Sequence, residues 1–137
     1  MKVYLASMYS TRSEINTYAK DLRKVGIEVT STWLKEPHAT DVQIYELRPD
    51  KNEAYAVADL HDIDRSDWFV FFSKSPDVPT IRGGRHVEFG YALASHKPIL
   101  VVGPKENIFH YLSEVEHVDT WEAALMYLIN AEDENEF

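Results

Sequence analysis

The chain has 137 residues, 45% of them hydrophobic and 27% charged, with 14 Lys/Arg against 23 Asp/Glu for a formal net charge of −9. That composition suits one soluble domain with its own core. The absence of cysteine excludes disulfides, thiolate metal sites and cysteine nucleophiles, and the acidic balance argues against a surface for duplex nucleic acid.

The opening "KVYLAS" is too short for the apolar core of a signal peptide. No apolar run reaches the roughly 18 residues needed to cross a bilayer. The expectation is a soluble cytoplasmic protein with no membrane partner: a single domain over 1–131 and an acidic, solvated tail over 132–137.

In chain order, "KVYLA" predicts a first strand over 2–6. "STRSEINTYAKDLRKVG" predicts a helix with Ser13 as N-cap, a stripe of Ile15, Tyr18, Ala19 and Leu22, and Gly26 as its stop. "IEVTS" predicts a second strand over 27–31. Residues 32–50 have no clean period and read as a long binding loop or lid, where Trp33 and Tyr45 could stack on a base. "KNEAYAVADLHDIDRS" predicts a helix with Ala56, Leu60 and Ile63 on its inner stripe. "DWFVFF" and "KPILVV" are continuous apolar runs, as expected of strands buried on both faces. Between them lie the loop "SKSPDVPTIRGG" and the helix "RHVEFGYALASH". The short helix "ENIFHYLS", the strand "VEHV" and a last helix capped by Thr120 complete the chain.

Strands alternating with helices predict an α/β fold. We expect a small doubly wound, flavodoxin-like or Rossmann-like domain with about five parallel strands and helices on both faces. Such folds bind ligands at the carboxyl ends of their strands. That rule points to residues 7–13, to the loop after the second strand, to "SKSPDVPTIRGG" and to "VGPKEN".

Three groups there could carry chemistry. Glu88 sits near the start of a helix that follows Gly83 and Gly84, where the positive end of the helix dipole favours an ionised carboxylate. It could cap the helix, act as a nucleophile, or both. Gly90, inside the same helix, costs about 1 kcal/mol relative to alanine and suggests close packing or ligand approach. Asp59, between Ala58 and Leu60, could orient a sugar hydroxyl or relay a proton; Asp62 and Asp64 read as a solvated helix end. Ser7, Ser10, Thr11, Arg12 and Ser13 offer hydroxyl and guanidinium donors beside a helix N-terminus, and Arg82 and Arg85 could add charge. Ordinary helix capping explains the hydroxyls equally well. His61 and its neighbouring aspartates match no metal spacing, so no metal is expected. With neither a Walker loop nor a GxGxxG fingerprint, no cofactor is expected either.

Taken together, "VYLAS", "ADLHDIDRSDWFV" and "GGRHVEFGYALASHKPILVV" resemble the nucleoside 2-deoxyribosyltransferase family, which includes related nucleoside 5'-monophosphate N-glycosidases. The resemblance spans most of the chain. It implies an enzyme acting on a small-molecule nucleoside or nucleotide through a covalent glycosyl-Glu88 intermediate, with transfer to another base or to water. It implies that Asp59 helps hold the sugar and that Tyr4, which on its own reads as a core residue, steadies Glu88. It puts residues 7–13 on the 5' side of the sugar and implies a homodimer or higher homo-oligomer. One departure stands out: Arg82 occupies the position, six residues before Glu88, where many transferases carry an aspartate that contacts the base. The arginines and the hydroxyl-rich loop lean toward a phosphorylated substrate. A non-catalytic nucleotide sensor or scavenger on the same fold is the alternative.

Overall fold

The computed structural model describes residues 1–35, 49–79 and 82–134. Five strands form a wholly parallel sheet: β1 (Lys2–Ala6), β2 (Glu28–Val29), β3 (Trp68–Phe72), β4 (Ile99–Val102) and β5 (Val115–Val118). Their spatial order is β2-β1-β3-β4-β5, that of a flavodoxin-like doubly wound fold. The helices are α1 (Arg12–Lys24), α2 (Pro49–Asp64), α3 (Gly84–Ala94) and α4 (Trp121–Glu134).

The continuous apolar runs are central strands, as expected. Phe69 to Phe72 and Ile99 to Val102 are all buried. One sheet face carries α1 and α4: Tyr18 stacks on Phe72 at 5.5 Å and on Trp121 at 4.7 Å. The other carries α3, where Phe89 meets Phe69 and Phe71 edge-on, with α2 packed beside it. Tyr4 pairs with Phe69 in the β1–β3 ladder, and the two rings stack at 5.6 Å.

Several elements differ from expectation. The second strand is two residues long, not five. Side chains continue its work: Ser31 Oγ accepts from the Leu5 N–H at 2.7 Å, and the Trp33 indole donates to the Leu5 carbonyl at 2.9 Å. Trp33 is thereby buried under the sheet edge and not offered to a base. A short 3-10 turn, Tyr9–Thr11, precedes α1 and moves its N-cap from Ser13 to Thr11. The expected helix around "IFHY" is likewise a 3-10 turn, Ile108–Tyr111. Ala56 is exposed, so the inner side of α2 centres on Ile63.

Asp62 is not a solvated helix end. It is buried and accepts from the Thr32 N–H at 2.9 Å, the Thr32 hydroxyl at 2.6 Å and the Arg65 guanidinium at 3.1 Å. A buried carboxylate needs such partners, and these pin the chain after β2 to the end of α2. At the other end of the domain α4 runs to Glu134, three residues into the stretch assigned to the tail; Glu132 lies 3.1 Å from the Met1 amine. Most of the long loop, including Tyr45, lies outside the described residues. No helix among the described residues is long and apolar enough to cross a membrane.

Candidate active site

The phenol of Tyr4 donates a hydrogen bond to Oε2 of Glu88. Tyr4 is fully buried in the middle of β1, while Glu88 is half-buried on α3. The β1–β3 register and the packing of α3 on both strands bring together residues 84 positions apart in the chain. The phenol is pushed well above the ordinary tyrosine range, first by burial, then by the charges of Glu88 and Asp59 and the bond to Glu88. It is therefore a fixed donor at neutral pH. Asp59, half-buried on α2, is within electrostatic reach of the same phenol. Tyr4 and Glu88 thus meet directly, and the charge of Asp59 acts on the same buried hydroxyl.

Glu88 does not cap its helix. Gly83 is the N-cap, left-handed at φ 71°, and the first turn of α3 holds no acidic residue. Glu88 is the fifth residue of α3, past the unpaired N–H groups of the first turn. Arg82 is also left-handed, at φ 74°, an uncommon state for a residue with a Cβ. It is exposed. Gly84 opens the helix proper. Among the described residues, a Cβ built on Gly90 would find nothing within 4 Å beyond its own helix backbone and chain neighbours.

Arg85, expected to add charge to the site, turns inward. It is buried and grips Glu106 with both ends of its fork, at 2.5 and 2.7 Å. Its guanidinium carbon lies 4.9 Å from the centre of the Phe71 ring. Burial pushes the Glu106 carboxyl up, but the Arg85 fork and the Lys74 N–H overcome this and leave it below its usual range. Local spacing gave no sign of this pair, which spans 21 positions.

Residues of the loop after β1 bond one another. The Ser7 and Thr11 hydroxyls lie 2.7 Å apart, and Thr11 donates to the Met8 carbonyl at 2.7 Å. Arg12 donates to the Tyr9 hydroxyl at 2.5 Å and lies 4.9 Å from the centre of its ring. Ser10 and Ser13 are exposed. Among the described residues no group of three or more His, Asp or Glu could hold a metal ion.

Strand order and site position define a doubly wound α/β protein with a phenol-held carboxylate on the helix that follows β3. Solved structures share that fold. The CMP N-glycosidase BcmB of Clostridium botulinum matches with a TM-score of 0.58 and 21% identity, over 93% of this chain and 98% of that one. A 2-deoxyribosyltransferase from the psychrotolerant bacterium Bacillus psychrosaccharolyticus matches with a TM-score of 0.65 and 18% identity, over 91% and 90%. A conserved protein from Enterococcus faecalis V583 matches with a TM-score of 0.63 and 16% identity, over 96% and 98%. No protein-family model matches the chain, and no curated protein matches it in sequence.

Proposed function

We propose that the protein is an enzyme of the nucleoside 2-deoxyribosyltransferase type, cleaving the N-glycosidic bond of a (deoxy)nucleoside or its 5'-monophosphate. The observation that carries this reading is the hydrogen bond from Tyr4 to Glu88, with Asp59 in reach of the same phenol. The sequence motifs add support, as does a fold shared with a CMP N-glycosidase and a 2-deoxyribosyltransferase.

A Glu88 oxygen attacks C1' of the sugar, and the bond from C1' to the base nitrogen breaks through an oxocarbenium-like transition state. The base leaves with the bonding pair and takes up a proton. Water, or the nitrogen of a second base, then attacks C1' and frees the carboxylate. Tyr4 orients Glu88, and Asp59 holds the sugar. The loop of residues 7–13 serves the 5' side, with Arg82 at the mouth. The working form is a homo-oligomer. Neighbouring helices α2 and α3 leave Val57 59% and Val87 68% exposed, and Gly90, three residues from Val87, is open to close approach.

The test is chromatography of base release from nucleosides and their 5'-monophosphates, with and without an acceptor base, for the wild type and Glu88→Ala. Loss of release in the variant is expected. Near wild-type turnover by Glu88→Ala, or tight binding without release by the wild type, would end the proposal.

A further inference from the structure

Glu106 lies outside the Tyr4–Glu88 pair, yet three segments at the carboxyl ends of β3 and β4 meet on it. Its carboxylate takes the Arg85 fork from α3 at 2.5 and 2.7 Å and the Lys74 N–H from the end of β3 at 3.1 Å. Its own N–H donates to Nδ1 of His110 at 3.0 Å. His110 is buried, with its ring 5.0 Å from Phe71 and 5.1 Å from Phe89.

The clamp reaches Glu88 by two routes. Arg85 sits three residues, about one turn, before it on α3. Phe89 directly follows it, wedged between His110, Phe71 and Phe69, and Phe69 is the ring on which Tyr4 stacks. A bidentate fork fixes direction as well as distance, and lysine cannot reproduce it. Removing one member of a buried pair strands the other charge, so the network holds as a unit.

Building on the proposed function, we infer that Arg85 and Glu106 are positioning residues: they fix the rotation of α3 about its axis and so the placement of the Glu88 carboxylate against the Tyr4 phenol. Neither touches substrate.

The experiment compares wild type, Arg85→Lys and the charge-free pair Arg85→Met with Glu106→Leu. Circular dichroism and thermal melts establish that each is folded; the paired variant strands no charge and covers the case in which Arg85→Lys does not fold. Two readouts follow. One is steady-state base release. The other is the 13C signal of the Tyr4 ring in tyrosine-labelled protein, assigned with Tyr4→Phe, which needs no turnover.

For a folded variant, kcat is expected to fall about ten- to a hundred-fold with KM changed by less than about two-fold, and the Tyr4 signal is expected to move. An unchanged kcat or an unmoved Tyr4 signal in a folded variant overturns the inference. If Glu88→Ala itself keeps its turnover, the functional reading fails, and the Tyr4 signal alone decides whether the clamp sets the pair.

Discussion

Tyr4 and Glu88 lie 84 positions apart in the chain and are joined by a hydrogen bond from phenol to carboxylate. A donor to a charged acceptor contributes about 1.5–3 kcal/mol. Tyr4→Phe keeps the ring that stacks on Phe69 and removes only the hydroxyl. We expect kcat for base release to fall about ten- to a hundred-fold, and the melting temperature at pH 7 to fall as well, because the same bond supports the fold.

The same substitution alters stability in alkali. Unfolded tyrosine ionises near pH 10, whereas folded Tyr4 is held well above that by burial and by the Glu88 and Asp59 charges. Tyr18 is pushed up to about 12, by burial and then by its bond to Glu14. Above about pH 10 the unfolded chain has lost protons that the folded one keeps, so stability falls as pH rises. Urea melts from pH 8 to 11 should show this decline, shallower in Tyr4→Phe.

On the acid side the sign reverses. Burial lowers His110 and His86 below the ordinary histidine value; the Arg85 charge also lowers both, while Glu106 opposes. As pH drops below about 6.5, the unfolded chain binds protons that the folded one refuses, and stability falls. Glu106, held below its usual range by Arg85 and Lys74 against its burial, adds a second decline below the ordinary glutamate value. His110→Gln should weaken the first decline, and Arg85→Met with Glu106→Leu the second, in melts from pH 3 to 8.

Two backbone positions have opposite expectations. Gly103 has φ 107°, and a Cβ there would stand 2.7 Å from the Ser73 hydroxyl and 3.3 Å from its carbonyl oxygen. Gly103→Ala should cost about 1–3 kcal/mol, and Ser73→Ala should restore only part, because the dihedral persists. His96 is left-handed at φ 59° just beyond α3. Its N–H bonds the Leu93 carbonyl and the next N–H bonds Ala92, the helix-ending pattern that favours glycine. His96→Gly should raise stability by about 0.5–1 kcal/mol. Chemical denaturation measures both.

Val87 tests the assembly. If α2 and α3 face a second copy, Val87→Asp places a charge in that contact and shifts sedimentation toward the monomer. A wild type that sediments as a monomer at micromolar concentration would refute the contact.

The sheet and its order of elements were legible because strands buried on both faces leave unbroken apolar runs, as in "DWFVFF" and "KPILVV". Boundaries set by competing local bonds were not. Ser10, Thr11 and Ser13 all suit a cap, and the 3-10 turn selected Thr11. Asp62 looked solvated because its partner Thr32 lies 30 positions away. Arg85 looked available because nothing local announces Glu106. Glu88 stood out by position, but its tie to Tyr4 came from the family resemblance, since periodicity assigns a buried strand tyrosine only to the core.

The brevity of β2 has a consequence for solubility. On the side away from β3 it leaves the upper part of β1 without a paired strand among the described residues, and an open strand edge is a template on which other chains can pair. Here the Ser31 hydroxyl and the Trp33 indole occupy both the N–H and the carbonyl of Leu5. Among the described residues, the rim beside Tyr4 is closed at Leu5 by side chains that cannot themselves extend a sheet.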